Sequence, residues 1–240
     1  MINRALCPVM VGREAELSDL DDALLAALRG EGAVALLSGE AGMGKTRLTA
    51  ALNERARRLG AVVMTGGCSE AELALPFLPF IEAIGNQLAA TEIETMTAAL
   101  GASAAELAQL FPQMGHSGSN RDGGDPAQAK LRLFEAIIAL VRLVAQEHGL
   151  LLIVEDIHWA DSSTRDLLDY MTRRLRGSKV LVLATYRADE LHRRHQLQPL
   201  LQGWRRSSQV AFVELAPLSP EGVGAMVKAI FESRRASLSS

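Results

Sequence analysis

The stretch "AVALLSGEAGMGKTRLTAAL" (residues 33–52) decides the fold. Residues 33–38 are a short continuous apolar run, as expected of a parallel strand buried on both faces. Glycines then interrupt the run, and a helical pattern resumes from Lys45 to Leu59. The interruption, "GEAGMGKT", fits the spacing G-x-x-x-x-G-K-[ST] at Gly39, Gly44, Lys45 and Thr46. Glycines let consecutive backbone N–H groups turn inward on an anion, where side chains would obstruct them. The helix beginning near Lys45 adds the positive end of its dipole. Lys45 can then reach the outer phosphates of a nucleotide, and the Thr46 hydroxyl can ligate Mg²⁺. The expected cradle comprises Gly39, Glu40, Ala41, Gly42, Met43, Gly44, Lys45, Thr46 and Arg47.

A second stretch, "GLLLIVEDIHWAD" (149–161), raises a question of charge. Five apolar residues, Leu150 to Val154, run into Glu155 and Asp156, although ionised carboxylates are costly to desolvate unless paired or metal-bound. A parallel sheet presents ligands at the carboxyl ends of its strands. The glycine loop leaves one strand at that edge, and the two acids leave another. One acid can hold Mg²⁺ and the other can orient or activate water. Period-two alternation puts the pair on opposite sides of the strand, but twist at its end defeats finer assignment. The working expectation gives the metal to Asp156 and the water to Glu155. Asp161 is either a further group around the metal or the cap of the helix that follows, and the cap is the expectation.

Three more strand patterns, "AVVMTGG" (61–67), "KVLVLATYR" (179–187) and "QVAFVEL" (209–215), alternate with helical ones. Helices are expected at 14–28, across a mostly helical region opening at 76–90, at 127–148, from the cap-type serines at 162 to Gly177, near 196–204, and from 219 with Ser219 as cap and Pro220 leading. The segment between Pro112 and Pro126 is rich in Gly, Ser and Asp and reads as a mobile loop. Strands alternating with helices define an α/β fold with a parallel sheet.

Composition sets the outer bounds. The 240 residues are 48% hydrophobic and 22% charged, an ordinary balance for a packed core. A formal charge of −3 gives no global reason to bind nucleic acid. Cys7 and Cys68 form no CxxC pair, which fits a reduced, cytoplasmic setting. No apolar run approaches the roughly eighteen residues of a membrane span.

Taken together, "VGREAEL" (11–17), "GEAGMGKTRL" (39–48), "LPFLPFIEAI" (75–84), "VEDIHWADSST" (154–164), "LATYRADE" (183–190) and "LAPLSPEGV" (215–223) carry a family likeness. The chain resembles the nucleotide-binding domain of the large ATP-binding LuxR-type transcriptional regulators, in the signal-transducing STAND branch of AAA-like P-loop ATPases. The resemblance implies a three-layer sandwich with strand order 5-1-4-3-2, ATP and Mg²⁺ as ligands, and Val11, Gly12 and Arg13 along the adenine. It also implies that Arg187 is the sensor arginine on the γ-phosphate; a cation at that edge suits the same role on charge alone. His158 and Trp159 match family positions, with packing as their only expected role. In AAA-like ATPases an arginine placed like Arg205 or Arg206 often reaches a neighbouring subunit's nucleotide; a solvated helix end is the plainer reading.

In this family "LAPLSPEGV" opens a helical lid, so residues 1–216 read as the ATPase domain and 217–240 as the first lid helix and a tail. No DNA-binding element is expected in the chain. The leading functional expectation is a Mg-ATP switch with slow hydrolysis. A small P-loop kinase would need an Arg-rich closing lid, whereas the 112–126 loop carries only Arg121. A DNA-associated AAA ATPase resembling origin-recognition proteins would need a winged helix.

Overall fold

In the computed structural model, described over residues 10–72, 75–115 and 125–238, five strands form one parallel sheet. They are β1 (Ala33–Gly39), β2 (Val62–Gly67), β3 (Leu150–Glu155), β4 (Val180–Arg187) and β5 (Val210–Glu214), in the order β2-β3-β4-β1-β5. That order is the implied 5-1-4-3-2 read from the other edge. The helices are α1 (Glu14–Leu28), α2 (Lys45–Arg58), α3 (Leu78–Leu88), α4 (Ile93–Leu100), α5 (Ala102–Leu107), α6 (Pro126–Ala145), α7 (Ser162–Arg174), α8 (Gln198–Trp204) and α9 (Pro220–Leu238).

The alternation of each strand feeds two cores. Leu151 and Ile153 of β3, with Ala35 and Leu37 of β1, pack under α1 and α2. Leu150, Leu152 and Val154, with Val34 and Leu36, pack under the opposite layer built from α3 to α8. Every side chain from Leu150 to Val154 is at most 1% exposed. Burying each is worth about 2 kcal/mol, so β3 cannot surface before its acids. Gly66 in β2 has a packing reason: a Cβ there would lie 1.8 Å from the Pro79 carbonyl oxygen, so α3 can cross the strand only over glycine.

At α7 the cap is the expected Asp161, and it is the end of the helix that departs from the sequence reading. Asp161 Oδ1 accepts from the Ser163 and Thr164 N–H groups at 2.7 and 3.1 Å. The serines therefore sit inside the first turn, and the helix stops at Arg174 rather than running to Gly177. Asp161 Oδ2 also accepts from the Phe77 N–H at 3.3 Å, which ties the entry of α3 to that of α7. At α9 the expectation holds, with Ser219 Oγ accepting from the Gly222 N–H at 3.1 Å ahead of Pro220. The loop expected over 112–126 falls at 116–124 outside the described residues, as does Cys7. Its flanks are a 3₁₀ turn at Pro112–Met114 and Asp125, which caps α6 through the Ala127 N–H at 3.0 Å.

Asp161→Ala removes a helix cap and strands the half-buried Phe77 N–H. The expected loss is about 2 kcal/mol of stability, or roughly 4–8 °C in Tm for a domain of this size, checked by thermal and urea unfolding. Asp161→Asn keeps an acceptor and loses less.

Candidate functional site

The loop between β1 and α2 turns on glycine. Gly42 and Gly44 adopt φ of +79° and +96°, in the left-handed region, and nothing approaches within 4 Å of where a Cβ would stand on either. That open space, beside backbone N–H groups and the start of α2, is the cradle the spacing predicts. Lys45 Nζ donates to the carbonyls of Gly39 at 2.7 Å and Glu40 at 2.9 Å. Burial pulls the Lys45 ammonium below its ordinary pKa, with Asp156 the first group acting against that fall. Glu40, Ala41 and Thr46 are exposed, Met43 packs against the α1/α2 core, and Arg47 lies in the first turn of α2.

Parallel pairing brings the other groups to the same edge. Gly39 stands opposite Arg187, and Gly67 opposite Glu155. Asp156 leaves β3 in a left-handed conformation, φ 55° and ψ 46°, which ends the alternation at that residue. Its N–H donates to the buried Thr185 Oγ1 at 3.0 Å, and its Oδ1 lies 3.9 Å from Arg187 Nε. Lys45, Asp156 and Arg187 thus converge from three strands. Glu155 is half-buried, and the continuing alternation directs it to the α2 side of the sheet. Burial, then the neighbouring Asp156 charge, raises its carboxyl above the ordinary range.

Of three site-edge residues, Thr185 and Glu190 had no role in the sequence reading and His158 only that of packing. Thr185 fixes the Asp156 turn. His158 is 4% exposed, and its Nδ1 accepts from the Arg187 N–H at 3.4 Å. Glu190 takes the Arg187 guanidinium, Nη1 to Oε1 at 2.6 Å. The sequence signals for Glu190 are its place three residues after an arginine and its position at the end of the stretch 183–190. Cys68, one residue past β2, has its thiol pushed up to about 12, first by burial and then by the charges of Asp161, Asp156 and Glu82. Trp159 stacks on His158 with ring centroids 5.2 Å apart.

The segment Val11–Arg13 lies on the far side of the loop. Arg13 Nη2 donates to the Met43 carbonyl at 3.2 Å and to the Ala216 carbonyl at 2.6 Å, while Nη1 pairs with Glu16 at 2.8 Å. Gly12, at φ +64°, has Leu218 Cδ2 3.0 Å from where its Cβ would stand. Arg205 is spent on packing, with its guanidinium 4.8 Å above the Phe212 ring. Arg206 is exposed.

Among the described residues no three His, Cys, Asp or Glu side chains converge as a metal site. The Asp156 carboxylate and the exposed Thr46 hydroxyl are oxygen donors, the ligand type that suits Mg²⁺. A glycine cradle at a helix start, closed by a lysine, a carboxylate and an arginine, defines a P-loop nucleotide-binding protein. The chain belongs to the AAA ATPase domain family, whose model matches residues 9–183. That family implies binding of a nucleotide, usually with Mg²⁺.

The chain is also similar to one further relative and to solved structures. An uncharacterized protein of Rhizobium meliloti (strain 1021) is 23% identical over 245 residues, covering 95% of this chain and 22% of its own length. Cdc6p from Pyrobaculum aerophilum superposes with a TM-score of 0.54 at 16% identity, over 96% of this chain and 52% of that one. The Orc1 protein of Aeropyrum pernix, solved in complex with DNA, reaches a TM-score of 0.48 at 19% identity, over 97% and 52%. The chain therefore spans about a fifth of that relative and half of each structure. At such identities the likeness to Cdc6p is one of fold. No helix among the described residues is long and apolar enough to cross a membrane.

Lys45→Ala is expected to weaken nucleotide binding tenfold or more, since a charge-assisted hydrogen bond is worth about 1.5–3 kcal/mol. The fold should survive, because the ammonium bonds only the carbonyls at the end of β1 and the start of the loop. Calorimetric titration beside far-UV circular dichroism checks both, and unchanged affinity in a folded variant would overturn the cradle.

Proposed function

We propose that this chain binds ATP with Mg²⁺, hydrolyses it slowly, and serves as a nucleotide-dependent regulatory switch of the kind found in LuxR-type transcriptional regulators of the STAND branch. The observation that carries the reading is the convergence of Lys45, Asp156 and Arg187 at one sheet edge, each delivered by a different strand end. A switch needs a group that distinguishes ATP from ADP, and a cation reaching in from the strand next to the phosphate loop is such a group.

In this reading the loop N–H groups and Lys45 hold the phosphates, and Val11, Gly12 and Arg13 border the adenine. Thr46 and Asp156 hold Mg²⁺, which when bound neutralises charge on the phosphate oxygens. Glu155 orients the attacking water and accepts its proton; its raised carboxyl is the better base for it. Arg187 reads the γ-phosphate. Residues 1–216 form the ATPase domain, and 217–240 open a lid followed by a tail. Support for the lid comes from α9, where Val223, Val227 and Phe231 are exposed at successive four-residue steps. The setting is cytoplasmic, and assembly through the ATPase domain would leave Arg206, rather than the stacked Arg205, to reach a neighbour's nucleotide.

Titration of ATP and ADP with and without Mg²⁺, beside a phosphate-release assay, tests the whole. Asp156→Asn should cost roughly ten- to a hundredfold in Mg²⁺-dependent affinity. Glu155→Gln should keep ATP and slow its hydrolysis about a hundredfold or more. Exchanged phenotypes would reverse the two roles. Arg187→Ala should lower ATP affinity about tenfold and ADP affinity far less, because the lost charge-assisted bond needs the third phosphate. Equal losses would remove Arg187 as the sensor.

A further inference from the structure

Arg187 does not stand free at the sheet edge. Its Nη1 donates to Glu190 Oε1 at 2.6 Å, while its Nε lies 3.9 Å from Asp156 Oδ1. The guanidinium is therefore suspended between two carboxylates, one on the strand end proposed to face the metal and one on the turn after β4. The Glu190 side is the closer and the only one with a hydrogen bond. Glu190 in turn faces His158. The second Glu190 oxygen, Oε2, is 3.2 Å from Nε2 of the buried His158, and that nitrogen has no hydrogen bond of its own. Because His158 Nδ1 accepts the Arg187 N–H, the proton of the neutral ring is on Nε2, facing Glu190. The turn carrying Glu190 is fastened to the phosphate loop, since the Ala188 N–H donates to the Gly39 carbonyl at 3.4 Å, and the Leu191 N–H to the Ala188 carbonyl at 3.3 Å.

We infer that Glu190 is a built-in competitor for Arg187, so that the third phosphate of a nucleotide must draw the guanidinium from this carboxylate, and that His158 is the positioning residue that keeps the competitor in place. The inference rests on the reading of Arg187 as the γ-phosphate sensor and adds what sets its threshold. An arginine offers five donors, so it can turn toward a phosphate, but each donor given to Glu190 is one withheld from the nucleotide. A diphosphate makes no such demand. Glu190 therefore lowers affinity for ATP specifically and narrows the margin between ATP and ADP. It makes the switch respond to nucleotide ratio rather than to any nucleotide present.

The test is Glu190→Gln in the otherwise wild-type chain and in an Arg187→Ala background, with ATP and ADP affinities measured for all four proteins. The Arg187 and Glu190 side chains are 39% and 28% exposed, so the effect is that of a screened pair. ATP affinity is expected to rise about three- to fivefold in Glu190→Gln, with ADP affinity nearly unchanged. In the Arg187→Ala background the same substitution should no longer separate the two nucleotides. His158→Gln, which loosens Glu190 without removing its charge, should shift the ATP-to-ADP ratio in the same direction and less far. Retained ADP binding shows that each variant is folded.

The outcomes separate the two claims. If Arg187→Ala alone leaves the ATP-to-ADP ratio at its wild-type value, the sensor reading fails and this inference with it. If that ratio falls but Glu190→Gln raises both affinities equally, or acts alike with and without Arg187, Glu190 contributes general charge only. The competitor role is then overturned while the sensor reading stands.

Discussion

The carbonyl of Gly39 is the point on which the site hangs. It is the last backbone acceptor of β1, and it takes both the Lys45 ammonium at 2.7 Å and the Ala188 N–H at 3.4 Å. One oxygen therefore joins the phosphate loop to the turn after β4, at the level where Gly39 and Arg187 stand opposite each other in the sheet. A parallel pair has a fixed register once both faces are buried, because a slip of one residue would turn every core side chain to the wrong layer. The spacing between the loop and Arg187 is thus set by the apolar residues of β1 and β4, all buried except Ala33. Core packing several residues away becomes positional accuracy at the edge.

That edge is balanced in charge rather than simply cationic. Lys45 and Arg187 face Asp156, Asp189 and Glu190, all of which act on the Lys45 ammonium. The carboxylates offset the cost of holding a partly buried lysine. They also repel an anion, so phosphate enters only if the loop dipoles and a counter-ion outweigh them. The Cys68 thiol, pushed up by burial and then by neighbouring acids, is a local gauge of the same field.

How much of this was legible in the sequence depended on whether a residue obeys a period. The five strands and the glycine loop did, and the structure places them within a residue or two of the reading. The strand order did not come from periodicity, since no local pattern encodes which strands lie side by side; it came from resemblance to a known family. Asp156 defeated assignment because alternation assumes extended backbone, and this residue is left-handed. Asp161 was legible as a cap by type and place, but its bond to the Phe77 N–H, added to the two helix N–H groups, is a tertiary contact that no local pattern encodes. Glu190 stood in the quoted stretch 183–190 with no role attached, until the turn after β4 brings it onto Arg187.

Arg13 has a mechanical consequence. A single guanidinium, 9% exposed, bonds the Met43 carbonyl in the phosphate loop and the Ala216 carbonyl at the root of α9. Two points held by one rigid planar group cannot part by an ångström without breaking a charge-assisted bond of about 1.5–3 kcal/mol. The loop and the root of α9 therefore move as one piece, with Arg13 as the rivet between them. Leu218 resting against Gly12 seats the same joint from the side. A displacement of the loop too small to unpack any core residue is carried outward along α9, whose length of 19 residues turns a shift at its root into a larger sweep at its tip.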